Sequence, residues 1–176
     1  GLDLSSTQDL TALVLQFEPT ESDPHWRQAE WFWLPGDGLH EKGDKDRVPY
    51  ARWREEGHLE ALPGRAINKL AVAKRAAEIA SMYDLKALAF DRWRIEDFLM
   101  ICRQEGIDLP LQPFGQGFKD MAPAVDEYER RLIGRELAHR GNPVMTWCAA
   151  NAVVMSDPAG NRKVAKEKAT GRVDGI

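Results

Sequence analysis

The chain has 176 residues, 43% of them hydrophobic, and a formal net charge of −4, enough to bury one sizeable core, so a single domain is the default. Its two cysteines, Cys102 and Cys148, lie far apart with no CxxC or Cys/His spacing, which excludes a zinc framework or disulfide scaffold and fits a reducing compartment. No apolar run approaches membrane-spanning length and no signal-peptide pattern is visible, so no membrane partner is expected.

In chain order, residues 1–5 and 11–17 predict two strands joined by a polar turn, a hairpin. A polar loop from Glu18 to Gln28 leads to an aromatic strand, Ala29 to Leu34, ended by Pro35-Gly36-Asp37-Gly38. Leu39 to Asp46 is charged and predicts a loop or short surface helix. Pro49 to Glu56 predicts a helix with proline in its first turn, and His58 to Leu62 a short edge strand stopped by Pro63-Gly64.

From Ile67 the apolar period becomes helical, with Asn68 as N-cap and Tyr83 near the end. Leu85 to Phe90 predicts a strand buried on both faces of a parallel sheet. A helix through Ile95, Phe98 and Cys102 ends at Gly106, and a strand over 109–114 leads into Gly115-Gln116-Gly117-Phe118. A further helix starts near Pro123, and Asn142-Pro143 opens another. Val153–Met155 and Arg162–Val164 flank Asp157-Pro158-Ala159-Gly160-Asn161 as a hairpin, and Lys166 to Gly171 is polar and expected to be mobile. Three strands first and βαβα afterwards imply a mixed α/β sheet: antiparallel hairpin strands continued by parallel strands and flanked by helices.

Three aspartates stand out against this pattern. Asp3 lies inside the first strand, Asp91 closes the run Ala87-Leu88-Ala89-Phe90, and Asp174 falls in Arg172-Val173-Asp174-Gly175-Ile176. A carboxylate in or at the end of a buried strand is costly unless compensated, and a divalent cation compensates several together. If the first strand is central with the Leu85–Phe90 strand beside it, Asp3 and Asp91 face each other where ligands gather at strand ends. Oxygen-only ligation favours Mg²⁺ or Mn²⁺, and two such ions roughly 4 Å apart serve in-line phosphoryl displacement. This predicts a metal-dependent nuclease. Taken singly, each acid has a plainer reading: Asp3 satisfies the following turn, Asp91 caps the next helix, and Asp174 is an N-cap.

Residues 130–172 hold nine basic and three acidic side chains, a net of +6 against −10 for the remainder. That asymmetry suits a phosphate-facing surface and equally a solvated helix face with a loose loop. Arg162, Lys163, Lys166 and Lys168 are candidate contacts to a DNA backbone, with Gln116 and Lys119 on the Gly-x-Gly loop, a pattern that is more often only a turn. Trp31, Phe32 and Trp33 are read as packing, and Asp9 as a turn residue.

Several segments occur together in one order: Gly1-Leu2-Asp3-Leu4-Ser5-Ser6-Thr7, Arg47-Val48-Pro49-Tyr50, Phe90-Asp91-Arg92-Trp93, and Gln116-Gly117-Phe118 with Met121 and Pro123. Gly141-Asn142-Pro143 follows with Trp147 and Asn151, then Asp157-Pro158-Ala159-Gly160-Asn161 and Arg172-Val173-Asp174-Gly175-Ile176. Over nearly its whole length the chain resembles the C-terminal nuclease domain of tailed-phage terminase large subunits. The resemblance implies a ribonuclease H-like fold and a two-metal endonuclease that cuts double-stranded DNA concatemers during genome packaging. The family's acidic ligands fall on Asp3, Asp91 and Asp174. It implies a packaging ATPase domain in cis before Gly1, a portal and a small terminase subunit as partners, and the host cytoplasm as the place of action. The chain is therefore expected to be a single nuclease domain, 1–176, from a longer protein. Two departures from the family pattern are Arg92 and Arg94 after Asp91, which add candidate phosphate contacts, and Ala122 where a helix-capping serine is common.

Three rival functions stand beside this. The stretch Gly1-Leu2-Asp3-Leu4-Ser5-Ser6-Thr7 also resembles the first phosphate loop of actin- and sugar-kinase-like ATPases, but a second phosphate loop and an adenosine motif are missing. A junction resolvase or transposase core shares the nuclease fold. A non-catalytic module docking on DNA or a portal is the alternative outside enzymes.

Overall fold

The structure, a computed structural model, describes residues 1–5, 9–92 and 95–176. Arg94, an expected DNA contact, lies outside the described residues, as do Ser6, Thr7 and Trp93 of the motifs above. Contacts group the chain into two compact units, Gly1–Leu13 with Trp31–Phe114, and Val14–Glu30 with Gly115–Ile176.

A mixed sheet is the frame. The strands β1 (Leu2–Asp3) and β2 (Thr11–Phe17) form the expected antiparallel hairpin, Leu2 opposite Leu13 and Asp3 opposite Ala12. After β3 (Trp26–Pro35), the short helices α1 (Leu39–Asp46) and α2 (Tyr50–Glu55) lead to β4 (Glu60–Leu62), which runs parallel to β3. The helix α3 (Lys69–Ser81) then precedes β5 (Leu88–Asp91), and α4 (Glu96–Glu105) precedes β6 (Leu111–Phe114). The strand order is β4-β3-β2-β1-β5-β6, with β1, β5 and β6 all parallel.

Local chemistry accounts for these elements. Asn68 caps α3 by accepting the Ala71 N–H at 3.1 Å, and Val72, Ala73, Ala76 and Ile79 form its buried stripe. Gly106 ends α4 in the left-handed conformation, φ 65°. The first unit buries Phe32, Trp33, Tyr50, Leu59 and Phe98, so Phe32 and Trp33 of the aromatic strand pack in the core while Trp31 is half-buried. Trp33 also donates its indole N–H to Glu60 Oε2 at 3.0 Å across the β3–β4 pair.

The second unit holds α5 (Phe118–Ile133), β7 (Leu137–Ala138), α6 (Pro143–Asn151), β8 (Val154–Ser156), β9 (Arg162–Val164) and a 3-10 turn, Lys166–Lys168. Asn142 caps α6, accepting the Val144 N–H at 2.9 Å, with Pro143 in the first turn. The β8–β9 hairpin is antiparallel, and Asp157 closes its tip by accepting the N–H groups of Ala159 and Asn161, each at 2.9 Å. The hairpin packs along α5.

Four expectations are corrected. The helix expected near Pro123 begins at Phe118, with Gly117 at its N-cap, an acidic residue, Asp120, in its first turn, and Pro123 inside the helix. Asp120 fills the space where a Cβ on Gly115 would lie, its Oδ2 only 2.0 Å from that position, so any larger residue there would require Asp120 to move. The strand β3 begins at Trp26, inside the segment read as loop: the Trp26 N–H donates to the Glu136 carbonyl at 2.8 Å and β7 pairs with Trp26–Arg27. Arg131 then lies 3.5 Å from the Trp26 ring centroid, held from the far side by Glu127 at 2.7 Å. The strand β5 is not buried on both faces: Leu88 and Phe90 are buried, while Ala89 and Asp91 are half-exposed. Lys166 to Gly171 carries ordered contacts, described below.

Glu30, in the second unit, gives a pH test of this packing. Burial raises its carboxyl above the usual range, opposed by a hydrogen bond from the Gln28 amide at 3.0 Å and by His139 and Arg140. A raised folded-state pKa means its contribution is fully present below the unfolded value and is lost as pH climbs through the folded one. Glu30→Gln keeps the acceptor and removes the ionisation. The variant should melt higher than wild type at pH 8, with the gap closing below pH ~4, where the unfolded carboxyl protonates. Thermal melts across pH 3–8 check this.

Candidate active site

The first unit brings two of the three acids together. Leu2 of β1 pairs in parallel register with Phe90 of β5, so the next residues, Asp3 and Asp91, stand side by side. Parallel neighbours lie roughly 5 Å apart, and residues in register share a face of the pleat. Leu2 and Phe90 fill the buried face, which leaves both carboxyl groups on the half-exposed one. On the outer flanks, Asp3 lies opposite Ala12 and Asp91 opposite Phe114.

The plainer reading of Asp91 loses ground. Asp91 is not the cap of the following helix, since α4 has Ile95 at its N-cap and no side-chain cap. In the turn after Asp3, the Ser5 N–H donates to Thr11 Oγ1 at 3.0 Å, and the Ser5 hydroxyl to the Asp9 carbonyl at 2.5 Å. Thr11 is fully buried and also donates to Ser5 Oγ at 3.3 Å, so this threonine ties the turn that carries Asp3. Thr11 had no sequence signal beyond its place at the start of a strand. Asp9 is a turn residue, as read.

Asp174 belongs to the second unit and is buried there. Lys166 contacts it, Nζ to Oδ1 at 2.9 Å. Its chain is held by α6: the Asn151 amide donates to the Arg172 carbonyl at 3.4 Å, and the Thr170 hydroxyl donates to Asn151 Oδ1 at 3.1 Å. Gly171 lies so close that a Cβ there would sit 2.6 Å from Asn151 Nδ2. The Gly175 N–H donates to the Cys148 sulfur, while burial, followed by the Asp174 charge, pushes that thiol up to about 11. Cys148 is an inert neutral thiol at physiological pH. Both cysteines are free and buried.

The candidate DNA contacts divide. Arg162 is engaged by Asp126 at 2.5 Å and Glu129 at 2.8 Å on α5, and Lys166 by Asp174. Lys163 lies over the Phe118 ring, 5.1 Å from its centroid. Arg92, Gln116, Lys119 and Lys168 are exposed. Much of the positive charge of residues 130–172 is thus answered inside the unit, since Arg130 and Arg131 also hold Glu127 and Glu136.

Paired carboxylates offering only oxygen donors on one face suit a hard divalent cation. The donor chemistry of Asp3 and Asp91 fits one; neither unit by itself gathers three or more His, Cys, Asp or Glu side chains able to hold a metal, among the described residues.

The family described as "Terminase large subunit, endonuclease domain" matches residues 1–176. The chain belongs to this family. It is 48% identical over 176 residues to the large terminase subunit of Enterobacteria phage HK97, covering 100% of this chain and 34% of that protein. The crystal structure of the HK97 large terminase superposes with a TM-score of 0.93 at 47% identity, covering 99% of this chain and 36% of that one. Protein YmfN of Escherichia coli K12 is 26% identical, over 99% of this chain and 40% of its own length. The terminase nuclease fold is thereby established as ribonuclease H-like, and the chain spans about a third of the HK97 relative, 34% of it. No helix among the described residues is long and apolar enough to cross a membrane.

The Asn151 latch yields a prediction. Asn151→Ala removes an acceptor and a donor from the segment leading to Asp174 and should lower stability by about 1–2 kcal/mol. Urea denaturation of wild type and variant at pH 7 measures it.

Proposed function

We propose that this terminase endonuclease domain is a metal-dependent endonuclease that cuts concatemeric double-stranded DNA during genome packaging. The observation that carries the reading is the side-by-side placement of Asp3 and Asp91 on one face of adjacent parallel strands in a chain of this family. Asp3, Asp91 and Asp174 are the proposed ligands, with Mg²⁺ or Mn²⁺ as the ions. When bound, a divalent pair supplies an activated water and charge stabilisation for the leaving oxygen of a phosphodiester. The chain's own part is to hold hard oxygen donors at fixed spacing on a rigid sheet, so that little reorganisation accompanies the reaction.

DNA is the proposed substrate, tracked along its backbone by Arg92, Gln116, Lys119 and Lys168, with Lys163 and Arg162 on the hairpin. The proposed setting is the host cytoplasm, with a packaging ATPase domain in cis and with portal and small terminase subunits as partners.

Substitution by the isosteric amide separates chemistry from folding. Asp3→Asn or Asp91→Asn should lower Mn²⁺-dependent nicking of supercoiled plasmid by roughly two orders of magnitude or more. Like charges opposite each other in a sheet are destabilising, so the metal-free melting temperature of each variant should hold or rise. Gel assays of nicking and melts in EDTA give both readings. Cutting undiminished in both variants would overturn the assignment and leave a docking role on DNA or portal.

A further inference from the structure

The contact between Lys166 and Asp174 is asymmetric. The carboxyl side chain is 6% exposed, whereas the lysine side chain is 55% exposed. Asp174 sits between the buried neighbours Val173 and Gly175, with the chain before it latched by Asn151 and the amide after it bonded to Cys148. Lys166 stands on a single 3-10 turn, at the end of a flexible four-carbon stem. One partner is buried and the other reaches water.

A carboxylate so buried is strongly disfavoured as a charge unless a cation lies against it. The ammonium at 2.9 Å supplies that charge from within the chain. We propose that Lys166 is a positioning residue: a tethered counter-ion that holds Asp174 in place in the metal-free protein and gives way when a divalent cation takes the carboxylate. This rests on Asp174 being a metal ligand, as proposed above. A divalent cation taken up by this carboxylate would lie close to the ammonium that stands 2.9 Å from its Oδ1, and two positive charges so close repel strongly inside a protein. Lys166 therefore lowers the affinity for metal while it preserves the shape of the site. Its exposure gives the displaced ammonium a direct route to water.

Calorimetric titration with MnCl₂ and thermal melts with and without Mn²⁺ test this on wild type, Lys166→Gln, Lys166→Arg and Asp174→Asn. Lys166→Gln should bind Mn²⁺ about tenfold more tightly than wild type, melt lower in EDTA and recover with Mn²⁺. Lys166→Arg should stay near wild type in both measurements. A purely structural lysine lowers the melting temperature without tightening metal binding, so unchanged or weaker Mn²⁺ affinity in Lys166→Gln overturns the inference. If Lys166→Gln does not fold, the double variant with Asp174→Asn decides: folding restored by removing the carboxyl charge supports the counter-ion role, and continued failure overturns it. Mn²⁺ binding abolished by Asp3→Asn, weakened by Asp174→Asn and indifferent to Lys166→Gln defeats this inference alone. No Mn²⁺ binding to wild type defeats both this inference and the metal-nuclease reading.

Discussion

The register between β1 and β5 governs the arrangement of the first unit. Leu2 is held on one side by antiparallel pairing to Leu13 and on the other by parallel pairing to Phe90, and all three side chains are buried. The side-chain period of a strand is two, so a slip by one residue would turn Leu2 to the solvent face and drive Asp3 into the core. Burying an unpaired carboxylate is far more unfavourable than the loss of one ladder bond. The apolar residues thus specify where the acids go: the core fixes the pleat, and the pleat fixes the face. Thr11 adds a second lock, because its hydroxyl bonds both the amide and the hydroxyl of Ser5, two residues after Asp3.

Asp174 is placed by different means. No ladder position of the kind that fixes Asp3 and Asp91 carries it; its segment is held by an amide from α6, by close approach of Gly171 to that amide, and by a lysine on a 3-10 turn. Such a position is as firm as its hydrogen bonds. A strand residue in a core register moves only with the sheet, whereas a latched segment can open locally at a free-energy cost well below that of global unfolding. The two kinds of acid are therefore held by different means, Asp3 and Asp91 by sheet register and Asp174 by side-chain hydrogen bonds to its segment.

The sequence carried the sheet acids clearly because periodicity reports core faces. Leu88-Ala89-Phe90-Asp91 alternates once the buried residues are known, and Asp3 beside Leu2 follows the same rule. Asn68, Gly106, Asn142 and Asp157 were legible because caps and turns depend on neighbours a few residues away. What escaped was long-range or set by side chains folding back. The extension of β3 to Trp26 needs β7, a pair of residues more than a hundred positions later, and the packing of the Asp120 side chain over Gly115 is a contact no local pattern announces. Lys166 looked like one more basic residue in a positive stretch; nothing local marks it as the partner of a carboxylate eight positions on.

That last case shows why net charge is a weak guide to a nucleic-acid surface. Arg130, Arg131, Arg162 and Lys166 all belong to the stretch that gave the excess of +6, and each is committed to an acid in the same unit. The commitments differ in strength. Arg162 sits between Asp126 and Glu129, acids that are themselves more than half exposed, and exposed pairs contribute about 0–1 kcal/mol, so a phosphate can replace those carboxylates at little cost. Lys166 cannot be drawn off in the same way by an anion, because its departure would strip a direct counter-charge from a buried carboxylate. Of two basic residues four positions apart, one is paired with exposed acids and the other with a buried one, and burial of the partner acid is what separates them.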